Sequence, residues 1–241
     1  MVILITGKNK PLSLELKKSI PTALCPDLNE IDLTSKISIE NYFSKNNIDT
    51  IIHVDALHSI KNCEDDKSYA MQINFMNTKN LVDAVKKHPE IKFILISTPC
   101  VFDGKDGMFL ENSIPYPINF YGLTKLLAEK QVETLINYLI IRTNYVARKL
   151  WPYPEAFTDR FSTYLFADQV AKAIVEILPE KFKGILHLTG DKKISMFELA
   201  KMTTPNVKPI TMANYSGPTL NVDMSLDTKL WKKYSISYDT R

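Results

Sequence analysis

Residues 92–98 read Lys-Phe-Ile-Leu-Ile-Ser-Thr, a short run of branched and aromatic side chains ending on two hydroxyls. An apolar run this short, with no polar alternation, predicts a strand at Lys92–Ile96 that is buried on both faces, the pattern of a parallel sheet. Val2–Ile5, Thr50–Val54 and Tyr138–Arg142 repeat it. Amphipathic stretches with helical spacing lie between these runs. They are Leu12–Ser19, Ile39–Lys45, and a longer one with Tyr69, Ile73, Met76, Leu81, Val82 and Val85 on one side before Pro89 stops it. Strands alternating with helices make βαβ units, whose right-handed crossovers build an α/β fold with a doubly wound parallel sheet. Such a sheet takes its ligand at the carboxyl ends of its strands, so Ser97 and Thr98 fall on the ligand side.

The alternation loosens after about residue 144. Leu150-Trp151-Pro152-Tyr153-Pro154 is a Pro-aromatic loop, followed by a helix over Ala167–Leu178 and a strand over Ile185–Leu188. Ser195-Met196-Phe197-Glu198 has the spacing of a capping box, which starts a helix running to about Met202. Strand, loop and a short helix are expected between Pro205 and Leu230. The expected division is a core over 1–145 and a small mixed α/β part over 146–241, packed on it as one compact unit on the substrate side.

The chain has 241 residues, 45% of them hydrophobic and 24% charged, enough for a sizeable core without cross-links. With 30 Lys+Arg against 27 Asp+Glu, its net charge of +3 argues against a nucleic-acid partner. Cys25, Cys63 and Cys100 are far apart and lack Cys-x-x-Cys spacing, so a reducing cytoplasm fits best. No apolar run approaches the roughly 20 residues of a membrane span, and Val2–Ile5 runs into Thr6-Gly7 without the marks of a signal peptide. A soluble, unprocessed protein is expected. His53, His58, His88 and His187 are dispersed, which argues against a metal, and no Gly-x-Ser-x-Gly elbow supports a hydrolase.

Tyr121-Gly122-Leu123-Thr124-Lys125 opens a further helix and carries the chemistry. Four-residue spacing puts Tyr121 and Lys125 on one helical face. A phenol titrates at about 10, and an ammonium group nearby favours the phenolate and lowers that value toward neutrality. The pair then suits proton donation to a carbonyl, with a hydroxyl of Ser97 or Thr98 as second donor to the developing charge. The plainer reading is a surface lysine beside a half-buried tyrosine, because Tyr-x-x-x-Lys recurs by chance.

The segments ISTPCVFDG (96–104), PINFYGLTKLLAE (117–129) and LIIRTNYV (139–146), in this order and spacing, resemble the extended short-chain dehydrogenase/reductase family. The branch they resemble is that of dTDP-4-dehydrorhamnose reductase. NEIDLTS (29–35) after a second strand, IIHVDALHSIKNCED (51–65), INFMNTKNLVDA (73–84), GILHLTG (184–190) and NVDMSLDTKLW (221–231) extend the likeness over nearly the whole chain. The resemblance implies a Rossmann-like fold that binds NADPH or NADH and reduces a keto group on a nucleotide-linked deoxysugar. By position, Thr98 would be the substrate-binding hydroxyl, Tyr121 the acid-base residue, and Lys125 the group that holds the nicotinamide ribose and tunes Tyr121. Cofactor contacts would come from Gly7, Lys10, Pro11 and Leu12 in the first loop and from Asp55, Ala56 and Leu57 beside ribose and phosphates. Asp32 and Leu33 would lie by the adenine, with Asn74 and Ser97 close to the site. A homodimer is left open.

The sequence departs from the family pattern in several places. The family's Thr-Gly-x-x-Gly-x-x-Gly opening is here Thr6-Gly7-Lys8-Asn9-Lys10-Pro11-Leu12-Ser13, with only the first glycine kept. Lys10 and Lys8 could supply charge to a displaced phosphate, or their bulk and Pro11 could close the site. Pro99-Cys100 and Tyr145 replace residues that usually help to hold the sugar. The segment between Asn144 and Ser162 is shortened, and Arg148, Lys149 and Arg160 there could meet a diphosphate. These departures leave a non-catalytic binding or regulatory relative, like the regulatory subunit of methionine adenosyltransferase, as the alternative to the reductase. An epimerase on the same scaffold is a further one.

Overall fold

The computed structural model describes residues 1–236. Four of the expected strands are present, β1 (Ile3–Thr6), β2 (Thr50–His53), β3 (Lys92–Ser97) and β4 (Tyr138–Thr143), and Gly184–Leu188 is the fifth strand of the same sheet. They pair in the order given, all parallel, with Ile5 opposite Ile52, Ile52 opposite Ile94, Ile94 opposite Leu139 and Leu139 opposite Gly184. Parallel pairing needs a crossover between neighbours, and helices supply it on both faces.

Strand alternation splits the core in two. Ile3, Ile5, Ile52, Ile94, Ile96, Leu139 and Ile141 face one way, against Leu12 and Leu16 of α1 (Pro11–Ser19) and against Val170 and Ile174 in the helix Ala167–Ile177. Leu4, Ile51, Phe93, Leu95 and Ile140 face the other way. They meet Ile39 and Phe43 of α2 (Lys36–Lys45) together with Leu81 and Val85. Each of these fully buried side chains contributes about 1.5–3 kcal/mol. This double coverage is why the strands read as unbroken apolar runs.

The family resemblance places a second strand ahead of Asn29, but only Leu24 remains of it. Leu24 bridges to Leu4, with Ile5 N–H donating to its carbonyl at 2.8 Å and its own N–H donating to the Ile3 carbonyl at 2.7 Å. Ala23-Leu24-Cys25 between two prolines is too short to extend the sheet.

The long amphipathic stretch is also not one helix. After α3 (Ile60–Asp65), it divides into α4 (Lys67–Met71), a π-turn over Gln72–Met76, and α5 (Asn77–Val85). A π-turn inserts one residue into the helical repeat and rotates the turns C-terminal to it. Asn74 lies in it and is buried, four residues from Ala70 and from Thr78, which are buried as well.

The next helix, α6 (Phe120–Val132), starts at Asn119, whose side chain accepts from Gly122 N–H at 2.9 Å and donates to Asn221 Oδ1 at 2.9 Å. The latter contact ties α6 to the last part of the chain, where Asn221 also donates to the Phe102 carbonyl at 2.7 Å. The remaining helices are α7 (Ala167–Ile177) and α8 (Met196–Thr203), and the expected capping box stands at α8, Glu198 accepting from Ser195 N–H at 2.7 Å. Between Pro205 and Leu230 the structure has the strand Lys208–Ile210, a 3₁₀ turn at Met212–Asn214 and an extended run. No described helix is long and apolar enough to cross a membrane.

Gly122 lets α6 meet the turn after β3. A Cβ there would stand 2.1 Å from the Cys100 carbonyl oxygen and 3.1 Å from Pro117 Cβ. Gly122→Ala is expected to push the helix off this turn, costing about 1–3 kcal/mol in chemical denaturation. It should cost ligand binding as well, because Tyr121 moves with the helix.

Candidate active site

Three residues that the family resemblance singles out, Thr98, Tyr121 and Lys125, converge where β3 ends. Thr98 leaves the strand in extended conformation and caps a 3₁₀ turn at Pro99–Val101, its Oγ1 accepting from Cys100 N–H at 3.2 Å. Tyr121, buried on the face of α6 turned to the sheet, brings its phenol beside the Thr98 hydroxyl. Lys125, one turn further on, donates its Nζ to the Ile96 carbonyl at 2.8 Å. Both residues meet α6: Thr98 stands beside Tyr121, and Ser97 donates to Glu129 at 2.5 Å. Ser97 is therefore held by a buried carboxylate while it still lines the cavity.

The ionisation of Tyr121 also differs from the sequence expectation. Burial pushes its phenol well above the ordinary value, and Lys125 does not offset this. Both groups are desolvated together, and each gives its polar atom to a different partner. Burial lowers Lys125 to about 8, opposed by the carboxylates of Glu129 and Asp55. At neutral pH the phenol is thus a fully protonated donor beside a cation.

Asn74, buried in the π-turn, clamps the loop after β2 onto α6. Its Oδ1 accepts from Leu57 N–H at 2.7 Å, and its Nδ2 reaches the Leu57 carbonyl at 3.2 Å and Thr124 Oγ1 at 3.0 Å. Deeper in the same segment, Thr6 Oγ1 accepts from Val54 N–H at 3.2 Å and so gives its proton to His53 Nδ1 at 2.7 Å. His53 then carries its proton on Nε2 and donates it to Thr78 Oγ1 at 2.9 Å, and Thr78 passes a hydrogen bond to the Asn74 carbonyl at 3.0 Å. A neutral imidazole is built into the join between β1, β2 and the helix.

The first loop is less damaged than its missing glycines suggest. Gly7 keeps a φ of 78°, and a Cβ there would stand 3.0 Å from the Asp55 backbone, so a glycine is still required. Lys10 has φ −78° and ψ 145°, ordinary extended geometry that needs no glycine. Ser13 is fully buried and donates to the Thr6 carbonyl at 3.1 Å, closing the helix-to-strand contact with a hydrogen bond. Lys10 Nζ crosses to the Ala56 carbonyl at 2.8 Å and lies 3.8 Å from Asp55. Lys8 turns the other way, to Asp27 at 3.5 Å. Leu12 lies wholly in the core and can offer a ligand only its backbone.

Two expected residues stand apart. Asp32 accepts from Thr34 within its own turn, and Leu33 packs into the core with Leu4. A cavity of about 940 Å³ opens beside Thr98, Tyr121 and Lys125, and its inner wall adds Pro11, His58, Thr143 and Asn144. The outer wall is aromatic, with Trp151, Tyr153, Phe157 and Tyr215. Arg160 reaches the cavity but is held by the Asn221 carbonyl at 3.0 Å, and Arg148 pairs with Asp168 at 3.1 Å. The sequence reading named the Trp151 and Tyr153 loop but did not single out Glu129, Arg142, or Phe157 and Tyr215 of the wall; only the four-residue step from Lys125 to Glu129 could have signalled the first. Among the described residues no cluster of His, Cys, Asp and Glu could hold a metal ion.

A family model described as the RmlD substrate binding domain matches residues 1–160. The chain belongs to this family. A hypothetical dTDP-4-dehydrorhamnose reductase from Sulfolobus tokodaii, known from its crystal structure, is 30% identical. It superposes with a TM-score of 0.81 over 94% of this chain and 92% of that one. A probable low-salt glycan biosynthesis reductase of Haloferax volcanii is 29% identical over 196 residues, 73% of this chain and 65% of the relative. Methionine adenosyltransferase 2 subunit beta of Pongo abelii is 25% identical over 211 residues, 71% of this chain and 63% of the relative. The chain thus spans just under two thirds of the length of these last two relatives. The family segment covers the whole Thr98, Tyr121 and Lys125 set, and its relatives include proteins named as reductases and one named as a subunit of a different enzyme.

The buried neutral histidine makes a pH prediction. Burial lowers His53 to about 3. The unfolded chain takes up this proton below about 6.5, so stability is complete above that pH and falls as pH drops toward 3, by up to about 1.4 kcal/mol per unit. Melting temperature measured between pH 7 and 4.5 should fall for the wild type, and less steeply for His53→Gln.

Proposed function

We propose that the protein reduces a keto group on a nucleotide-linked deoxysugar, with Tyr121 as proton donor and NADPH or NADH as hydride source. The observation that carries this reading is the meeting of Thr98, Tyr121 and Lys125 at the inner end of one cavity, at the carboxyl edge of a doubly wound sheet. Family membership supports the class of substrate. The residues present fit the dinucleotide. Gly7 keeps the turn, α1 begins four residues later with Pro11 so that the free amides of its first turn start at Leu12, and Lys10 is a cation that needs only to change partners. The part of the chain beyond residue 145 supplies the aromatic outer wall and is taken as the substrate side.

When bound, the nicotinamide supplies the hydride. The chain's own groups handle the oxygen of the carbonyl. Charge grows on that oxygen as it is reduced, and Tyr121 meets it with a proton, because burial keeps the phenol protonated at neutral pH. The Thr98 hydroxyl donates a second hydrogen bond to the same atom, and Lys125 balances the phenolate that remains. Purified protein should bind NADH or NADPH in calorimetry and oxidise it with a dTDP-4-keto-6-deoxysugar. Tyr121→Phe should lower kcat by roughly 10²-fold or more while leaving dinucleotide binding in place. Absence of binding by both dinucleotides at high micromolar concentration overturns the proposal.

One contact favours a second reading, that of a non-catalytic relative. Lys10 already spans the gap between the first loop and Ala56, across the route a diphosphate would take. The two readings differ in sign. If Lys10 serves the diphosphate, Lys10→Ala weakens dinucleotide binding by roughly tenfold, the worth of one charge-assisted hydrogen bond. Tighter binding by Lys10→Ala means that the lysine closes the site, and it supports the non-catalytic reading.

A further inference from the structure

Tyr121, Lys125 and Glu129 succeed one another at four-residue steps and form a row on the face of α6 turned to the sheet. An ordinary amphipathic helix places apolar residues in such a row. Here the second and third members are an ammonium group that is 2% exposed and a carboxylate that is fully buried. Glu129 has three donors around it: Ser97 Oγ at 2.5 Å, Arg142 Nε at 3.0 Å and Arg142 Nη2 at 2.7 Å. Ser97 and Arg142 stand opposite each other on β3 and β4, so one carboxylate joins two strands and a helix. Lys125 ends on the Ile96 carbonyl, the residue before Ser97, so the ammonium and the carboxylate meet β3 at adjacent positions.

Lys125 is faced by Glu129 from its own helix and by Asp55 from the loop after β2. His53 of that segment also feels Lys125, and burial holds it neutral, whereas His58, exposed at the cavity, feels both Lys125 and Lys10. Arg142 lies beyond Glu129, with its guanidinium 5.0 Å from the Phe102 ring centre and its Nη1 without a partner. Arg142 and Glu129 pair with each other, and Asp55 is shared between Lys125 and Lys10, which lies 3.8 Å from it. Without Glu129, Lys125 would lose the larger of the two carboxylate charges that oppose its desolvation, and the buried ammonium would shed its proton more easily.

We propose that Glu129, fixed by Arg142, is a positioning residue for the reduction: it keeps Lys125 a cation and holds the end of β3 so that Thr98 faces the cavity. The role in reduction rests on the function proposed above, whereas the effect on Lys125 belongs to the protein alone. A fold-locking ion pair would be indifferent to Lys125, and apolar residues often replace such pairs without loss.

The test reads Lys125 directly. Protein labelled with ¹³C at lysine Cε is titrated from pH 6 to 10 without dinucleotide, and the Lys125 signal is identified by its loss in Lys125→Arg. The wild-type midpoint is expected near 8, lower by at least one unit in Glu129→Gln, and between the two in Glu129→Asp, which keeps a carboxylate one methylene further back. The alkaline limb of the kcat profile should move with it, with KM for the dinucleotide changed little. An unmoved midpoint in folded Glu129→Gln overturns the proposal. If that variant does not fold, a wild-type midpoint below 7, or a Glu129→Asp midpoint equal to the wild type, overturns it instead. Loss of the reductase reading would show as no dinucleotide binding, with the lysine titrations unaffected.

Discussion

The helix that carries Tyr121 and Lys125 comes closer to the turn after β3 than any residue with a side chain would allow at Gly122, where an added Cβ would overlap the Cys100 carbonyl. Everything at the site depends on this approach. It brings the phenol to the Thr98 hydroxyl and lets Lys125 reach back to the Ile96 carbonyl. Asn119 holds the helix start in place by capping Gly122 and by gripping Asn221, far along the chain. The last part of the chain therefore belongs to the site structurally, although it contributes no reacting group.

Such closeness removes water, and the removal dominates the chemistry. In water, a phenol and an ammonium side by side would lower the phenol's titration and raise the lysine's. Once both are buried, desolvation acts on each separately, raising the phenol and lowering the lysine. Buried charges are tolerated only with partners, and the row on α6 continues to a carboxylate that is itself paired with Arg142. The ion pair carries a desolvation cost of several kcal/mol per ion, roughly offset by its bidentate geometry and by the Ser97 hydroxyl. Stability is thus a weak account of why these residues are there, and control of the neighbouring lysine is a stronger one.

The first loop shows how a glycine pattern can erode without loss of the turn. Only the position with positive φ and a tight backbone neighbour, Gly7, remains glycine. At position 10 the backbone is extended and accepts a side chain, and at position 13 a buried serine replaces close approach with a hydrogen bond to Thr6. What changes is the charge across the loop. A lysine now stands where the pattern has bare backbone, tied to Ala56 and near Asp55.

The parallel sheet, the placing of helices on both its faces and the Tyr-Lys helix were all legible in the sequence. These features rest on local periodicity, and strand and helix spacing are properties of consecutive residues. Thr98 and the family likeness were legible for the same reason, as ordered segments at fixed spacing. The π-turn was hidden, because a single inserted residue leaves the apolar pattern nearly intact. The vestigial second strand was hidden as well, since pairing by Leu24 alone depends on β1 beside it. Ser97 shows the division most clearly: its place beside the cavity was readable from the strand end, whereas its partner, Glu129, 32 residues on, was not. By itself the sequence determined which side chains could do chemistry and on which elements they lie. Tertiary structure alone decided which were buried together, and burial sets their charge, because desolvation depends on neighbours that are distant in the chain.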